Sequence, residues 1–97
     1  MIIGNNTISE KSRVFIIAEL SANHNGSLET AIETIKAAKR AGADCIKLQT
    51  YTADTITINS REPDFFINGT IWEGKNLYDL YTEAYTPWDW HKTLFQV

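Results

Sequence analysis

The sequence predicts an α/β fold, the opening part of a parallel (β/α)8 TIM barrel, from three observations. Two apolar runs of strand length, residues 14–20 and 44–49, flank a segment whose apolar residues recur at helical spacing. Strands joined by such a helix lie parallel with a right-handed crossover, since the helix packs its apolar stripe onto the sheet. The chain has 97 residues, whereas an eight-stranded barrel needs about 250. We therefore expect residues 1–97 to be an incomplete, N-terminal portion of that domain.

The first elements in order are a short N-terminal segment, a strand and a helix. Residues 1–11 carry Ile2, Ile3 and Gly4, which predict an extended segment or a small hairpin. The first strand is predicted over residues 14–21. Ser27 is expected to cap the following helix, and Gly42 to end it. The apolar face of this helix comprises Leu28, Ala31, Ile32, Ile35 and Ala38.

Alternation along the two strands separates an apolar face from a mixed face. Val14, Ile16, Ala18, Leu20, Ile46 and Leu48 form the apolar face, which we assign to the helix layer. The mixed face is expected to point into the barrel, apolar at the bottom and polar at the top. Its members are Phe15, Ile17, Glu19, Ser21, Cys45, Lys47 and Gln49. Cys45 is accordingly expected to be a buried, inert thiol.

The remainder of the chain is predicted to be a long connection followed by two helices. Residues 51–75 have no clear period, and their aromatic residues favour a covering loop over the barrel mouth, with a solvated excursion as the alternative. A helix is predicted over residues 76–85. Thr86 is expected to cap the next helix, with Pro87 in its first turn. The three residues Trp88, Trp90 and His91 are predicted to be structural.

The overall composition excludes several classes of protein. A net charge of -3 without a basic stripe argues against binding to nucleic acid. One cysteine provides no disulfide framework, which favours a reducing, cytoplasmic setting. No run of about eighteen apolar residues is present, so no membrane span or other contact with a membrane is expected.

The candidate site lies at the carboxyl ends of the two strands, where parallel α/β folds carry their ligands. Glu19, Lys47 and Gln49 all fall there. Burying a carboxylate and an ammonium group costs desolvation free energy, which favours a functional role for the pair. We therefore expect a ligand-binding site, with a purely structural ion pair as the alternative. Asn23 and His24 lie in the next loop, residues 22–26, which either forms a tight turn or brings groups to an anionic ligand at the helix start. A lone histidine is weak support for a metal.

Three blocks, IIAELSANHNGSLE, AGADCIKLQTYT and GTIWEGKNLYDLYTEAYTPWDWH, resemble the amino-terminal part of the sialic acid synthase family. The resemblance covers most of the chain. It implies a (β/α)8 barrel followed by a small antifreeze-like domain, in a homodimer that condenses phosphoenolpyruvate with an acetamido-sugar aldehyde. It implies a divalent metal, Mn²⁺ or Mg²⁺, whose ligands would lie outside this chain.

The resemblance also assigns roles to individual residues. The family's motif carboxylate falls on Glu19 and its motif lysine on Lys47, which are the expected catalytic residues. Lys47, Gln49 and Asn23 are the expected substrate-binding residues, and no metal ligand is expected within residues 1–97. With the metal and further phosphate ligands missing, we expect residues 1–97 alone to be inactive.

The sequence leaves two other interpretations open. The chain could be a non-catalytic piece that self-associates through its unpaired strand edges. It could also belong to another barrel that condenses phosphoenolpyruvate, which the block GTIWEGKNLYDLY disfavours.

Overall fold

A computed structural model describes all residues from Met1 to Val97. The regular elements, in order, are β1 (Ile2–Ile3), β2 (Asn6–Thr7), β3 (Ile17–Glu19), α1 (Leu28–Arg40), β4 (Cys45–Lys47), α2 (Ala53–Ile56), a 3₁₀ turn (Pro63–Phe65), α3 (Leu77–Glu83), a second 3₁₀ turn (Trp88–Trp90) and α4 (His91–Leu94). None of these helices is both long enough and apolar enough to cross a membrane.

The predicted β-α-β unit is present. β3 and β4 pair in parallel, with Ile17 opposite Cys45 and Glu19 opposite Lys47. The strands are shorter than predicted, because residues 14–16, 20–21, 44 and 48–49 lie outside the regular ladder. The N-terminal hairpin is also present, with β1 antiparallel to β2. Barrel closure, which needs further strands, stays a prediction.

Helix α1 begins and ends where its caps predict. The Ser27 hydroxyl accepts a hydrogen bond from the Thr30 N–H at 3.2 Å. At the other end, Gly42 has a φ of +97°, and the N–H groups of Gly42 and Ala43 donate to the carbonyls of Lys39 and Ala38. These two hydrogen bonds form the Schellman motif, in which glycine adopts the left-handed backbone conformation without steric strain.

The core lies between the sheet and α1, on the face that alternation assigned to the helix layer. Leu20, Ala31 and Leu94 are buried together. Around them pack the half-buried side chains of Leu28, Ile32, Ile35, Leu48 and Trp90. The assignment of Leu20 and Leu48 to the helix side is therefore confirmed. Val14 and Ile16 on the same face are exposed, since they precede the ladder.

The mixed face of the sheet corrects two predictions. Cys45 is exposed rather than buried, and Ile17 is 53% exposed. Alternation identified the face correctly, but its part within the ladder, at Ile17 and Cys45, remains open to solvent.

Two further predictions, on Thr86 and Trp88 in the C-terminal part of the chain, are wrong. Thr86 is not a helix cap, because the second 3₁₀ turn begins at Trp88 with Pro87 in the capping position. The Thr86 hydroxyl instead accepts a hydrogen bond from the Gln49 N–H at 3.2 Å. Trp88 is 60% exposed and stacks on His91, so it is not a core residue. Trp90 does pack on the core, as predicted.

Arg13 and Asp44 anchor the start of the parallel pair. Both guanidinium nitrogens of Arg13 bond the Asp44 carboxylate, one of them at 2.9 Å, and the Ile16 N–H donates to the same group at 2.9 Å. The pKa of Asp44 is lowered from 3.8 to about 2. The hydrogen bond from Arg13 makes the largest contribution, and the one from the Ile16 N–H the next largest.

The depressed pKa of Asp44 predicts a pH dependence of stability. A carboxylate whose pKa is lower in the folded state stabilises the fold above the unfolded pKa, and this contribution is lost as pH falls from about 4 towards 2. We expect Asp44→Asn to lower the melting temperature at pH 7 and to narrow its difference from wild type at pH 2. Melting curves at pH 7, 4 and 2 test this. The exposed Glu10→Gln is the control, and a difference that does not change with pH contradicts the assignment.

Asn76 joins helix α3 to the long connection. It is 1% exposed. Its side-chain Oδ1 accepts from the Asp79 N–H at 2.8 Å, and its side-chain Nδ2 donates to the Ser60 carbonyl at 3.1 Å. We expect Asn76→Ala to lower the free energy of unfolding by about 2 kcal/mol, since it removes a cap and leaves the partly buried Ser60 carbonyl unpaired. Asn76→Ser, which keeps a cap acceptor, should lose less in urea unfolding. Equal losses would mean that the cap contributes nothing.

Candidate active site at the strand ends

Glu19 and Lys47 meet at the carboxyl ends of β3 and β4. They are direct partners in the parallel register, and the Lys47 Nζ lies 3.1 Å from Glu19 Oε1. The predicted juxtaposition of carboxylate and ammonium is therefore present. The pair is not buried, however: the two side chains are 61% and 59% exposed, because the mixed face is open. A pair in solvent contributes little to stability.

Gln49 lies one step further along the same face and is bonded within the protein. Its Oε1 accepts from the Ser21 hydroxyl at 2.6 Å. Its Nε2 donates to the Tyr51 hydroxyl at 2.8 Å and to the Ala84 carbonyl at 2.6 Å. The Tyr51 hydroxyl also donates to the Ala84 carbonyl. The side-chain amide of Gln49 thus joins both strand ends to the end of α3.

The backbone reinforces this joint. The Thr86 N–H donates to the Gln49 carbonyl at 2.8 Å, opposite the bond from the Gln49 N–H to the Thr86 hydroxyl. Thr86 is fully buried. Burial raises the pKa of Tyr51, with a further contribution from Tyr81, so the Tyr51 hydroxyl stays protonated and keeps its donor. Helical periodicity could not have revealed this network, because its members are far apart in sequence.

The loop after β3 forms a compact turn. Ser21 and Asn25 have positive φ angles of 56° and 47°. The Asn23 side-chain nitrogen donates to the Leu20 carbonyl at 3.0 Å, which leaves its amide oxygen for other contacts. His24 is 1% exposed. Its Nδ1 accepts from the Gly26 N–H at 3.0 Å, and its ring meets Trp90 edge to face. His24 Nε2 is buried without a partner.

An aromatic cleft of about 320 Å³ opens beside Gln49. The cleft lies between the strand ends, the long connection and α3, so residues 51–75 do pack next to the predicted site. Its lining consists of Ser21, Ala22, Gln49, Tyr51, Ile56, Trp72, Leu80, Tyr81 and Ala84. No pattern in the sequence predicted this cleft, although Trp72, Leu80 and Tyr81 belong to the block GTIWEGKNLYDLY.

The donor set for a metal is incomplete. No three His, Cys, Asp or Glu side chains of residues 1–97 cluster so that they could hold an ion. Glu19 is the one acidic group at the strand ends, and it is paired with Lys47. The residues present therefore do not fit a divalent metal site by themselves.

Comparison with known proteins gives consistent matches. The sequence model of the NeuB family matches residues 34–97. Pseudaminic acid synthase of Campylobacter jejuni is 57% identical over 96 residues, which are 99% of this chain and 27% of that protein. Pseudaminic acid synthase of Helicobacter pylori is 54% identical over 82 residues, 84% of this chain and 24% of that protein. N,N'-diacetyllegionaminic acid synthase of Legionella pneumophila is 41% identical over 66 residues, 68% of this chain and 18% of that protein. The chain thus spans about a quarter of the length of these two pseudaminic acid synthases.

Proposed function

The chain belongs to the NeuB family of sialic acid synthases, and from this premise we propose that it supplies part of the active site of a pseudaminic acid synthase. The proposed reaction condenses phosphoenolpyruvate with 2,4-diacetamido-2,4,6-trideoxy-altrose to give pseudaminic acid and phosphate. The observation that carries the proposal is the contact of Glu19 with Lys47 at 3.1 Å on two adjacent parallel strands. The 57% identity to a relative named pseudaminic acid synthase supports the choice of product.

Lys47 is the proposed anion-binding residue. An ammonium group with three N–H donors neutralises the phosphate or carboxylate of phosphoenolpyruvate as a point charge. Its side chain is 59% exposed and held only by Glu19, so it is accessible to a ligand at the strand ends. Glu19 then keeps the ammonium in place until the anion arrives.

Glu19 is the proposed base. Carbon 3 of phosphoenolpyruvate bonds to the aldehyde carbon, whose oxygen takes up a proton. Water adds at carbon 2, and the bond between that carbon and the phosphate oxygen breaks, which releases inorganic phosphate. A carboxylate in contact with Lys47 can orient the attacking water and accept its proton.

Gln49 and Asn23 are the proposed contacts to the sugar. Each retains an amide oxygen with capacity to accept a hydrogen bond, although their nitrogens are bound within the protein. A divalent metal, which the resemblance implies, would draw its ligands from outside residues 1–97. The roles proposed for Glu19 and Lys47 do not depend on one.

Phosphate release tests the proposal directly. The protein that carries this chain, as isolated, is expected to release phosphate from phosphoenolpyruvate only when the altrose sugar is also present, with Mn²⁺ in the buffer. Glu19→Gln should abolish most of the release. Release that occurs without a sugar, or equally in Glu19→Gln, would overturn the proposed roles.

The same assay separates the alternatives within and outside the family. Release with N-acetylmannosamine or with 2,4-diacetamido-2,4,6-trideoxymannose in place of the altrose sugar would assign the chain to an N-acetylneuraminate or legionaminate synthase. No release with any sugar would favour a non-catalytic piece. The exposed Val14, Ile17 and Phe95 would then explain self-association, which the solution mass would reveal.

A further inference from the structure

We propose that the aromatic cleft binds an acetamido group of the sugar, with the methyl group against Trp72 and Tyr81 and the N–H facing Ser21 and Gln49. This inference rests on the proposed function and deepens it, because it identifies which part of which substrate the cleft takes. It assigns a specificity-determining role to residues of the long connection and of α3.

The first argument is the hydrogen-bonding balance at the base of the cleft. The Ala84 carbonyl can only accept, so the bonds it receives fix the direction of the others. Tyr51 donates its one hydroxyl proton to this carbonyl. Gln49 donates both amide protons, to Ala84 and to Tyr51, and Ser21 donates its proton to Gln49. Every side-chain donor at the base is therefore used.

What remains at the base are acceptors. The oxygens of Ser21, Gln49 and Tyr51 each keep a free lone pair. These three oxygens can accept from a ligand N–H and have no proton left to give to a phosphate or carboxylate. The N–H of an acetamido group therefore fits them, and the Trp72 indole N–H and the Tyr81 hydroxyl, which also line the cleft, are further donors that suit its carbonyl oxygen.

The second argument is the apolar wall. Trp72, Tyr81, Leu80 and Ile56 line the sides of the cleft, and Trp72 and Tyr81 are half-buried, so their rings are held but remain accessible. Tyr81 is fixed further by an edge-to-face contact with Tyr51, with ring centroids 5.5 Å apart. A methyl group gains by leaving water for such a wall, whereas a hydroxyl in its place gains nothing.

The third argument is distance from the reacting groups. Ser21 and Gln49 each follow a member of the Glu19 and Lys47 pair by two residues, and two residues of extended chain span at most about 7 Å. A sugar whose aldehyde lies at the pair therefore reaches the cleft with a substituent a few carbons away. The pair itself does not line the cleft, so the sugar bridges the two.

Trp72→Ala is the decisive variant. In the protein that carries this chain, the KM for 2,4-diacetamido-2,4,6-trideoxy-altrose is expected to rise about tenfold, the scale of a lost apolar contact in a pocket. The KM for phosphoenolpyruvate should change less than about twofold. Trp72→Phe, which keeps an aromatic wall, should restore most of the affinity. Trp88→Ala removes an exposed tryptophan outside the cleft and serves as the matched control.

Substrate analogues identify the acetamido group. Two altrose analogues, each with one acetamido group replaced by hydroxyl, are compared in wild type and Trp72→Ala. The inference predicts that one analogue binds wild type weakly and loses nothing further on Trp72→Ala. If both analogues and the parent lose affinity equally in Trp72→Ala, or if the sugar KM is unchanged, the inference is wrong. Should Trp72→Ala not fold, Ser21→Ala in the same comparison decides.

A binding measurement keeps this inference distinct from the proposed reaction. Saturation-transfer NMR on the diacetamido sugar is expected to give its strongest signal at one acetamido methyl, reduced in Trp72→Ala. That signal without any phosphate release would retain the cleft assignment and overturn the reaction. Phosphate release with an unchanged methyl signal in Trp72→Ala would retain the reaction and overturn the cleft assignment.

Discussion

Lys47→Ala is expected to lower kcat/KM for phosphoenolpyruvate by about 100-fold or more in the protein that carries this chain. Removing one member of a charged contact to a bound anion costs several kcal/mol of transition-state stabilisation. The fold should be unaffected, because the ion pair of Lys47 with Glu19 is exposed at 59% and 61%, and exposed pairs contribute at most about 1 kcal/mol. Steady-state kinetics and a melting curve together provide the measurement.

This contrast between activity and stability makes the Lys47 experiment decisive. A lysine that serves only in a surface ion pair would give unchanged kinetics on substitution. Lys36 is the matched control, since it forms a similar exposed pair with Glu33 at 3.0 Å on helix α1. We expect Lys36→Ala to retain wild-type turnover. Equal kinetics for the two variants would remove Lys47 from the active site.

Leu20→Ala is expected to have the largest effect on stability, about 3 kcal/mol within a usual range of 2–5 for buried leucines. Leu20 is 1% exposed and contacts the core between the sheet and α1. Its truncation leaves a cavity where the end of β3 meets α1 and α4. Urea unfolding followed by circular dichroism measures the loss in the free energy of unfolding.

Two further variants define the cause of the Leu20 effect. Leu20→Met roughly conserves volume and should lose less than about 1.5 kcal/mol. Val14→Ala removes a side chain that is 79% exposed and should change stability by less than about 0.5 kcal/mol. A loss for Leu20→Ala no greater than that of Val14→Ala would mean that this core does not support the fold.

The features that could be predicted from sequence are those with local periodicity. Alternation placed Leu20 on the helix side, and the caps of α1 at Ser27 and Gly42 follow from the conformational preferences of those residues. The same alternation places Glu19 and Lys47 on one face of the sheet, whereas their position directly opposite each other comes from the register between the two strands. Face and caps are determined by neighbours a few residues apart.

The features that sequence could not predict depend on distant partners. Threonine before proline is typical of a helix N-cap, but the Thr86 hydroxyl accepts a hydrogen bond from the N–H of Gln49, 37 residues earlier. Cys45 lies in an apolar strand sequence that is typical of a buried residue. Its burial, however, depends on which elements pack over the mixed face of the sheet, and sequence neighbours do not reveal this. The aromatic cleft needs Ser21, Gln49 and Ala84 together, and no spacing rule relates three such positions.

The carbonyl of Ala84 determines which atoms the base of the aromatic cleft offers to a ligand. This one backbone oxygen receives a proton from Gln49 and another from Tyr51, so neither proton is left for a ligand. Because the acceptor is a main-chain atom, no side-chain substitution at position 84 removes it. The chemistry of this part of the cleft is therefore tied to the course of the backbone at the end of α3, and a shift of that segment would change it.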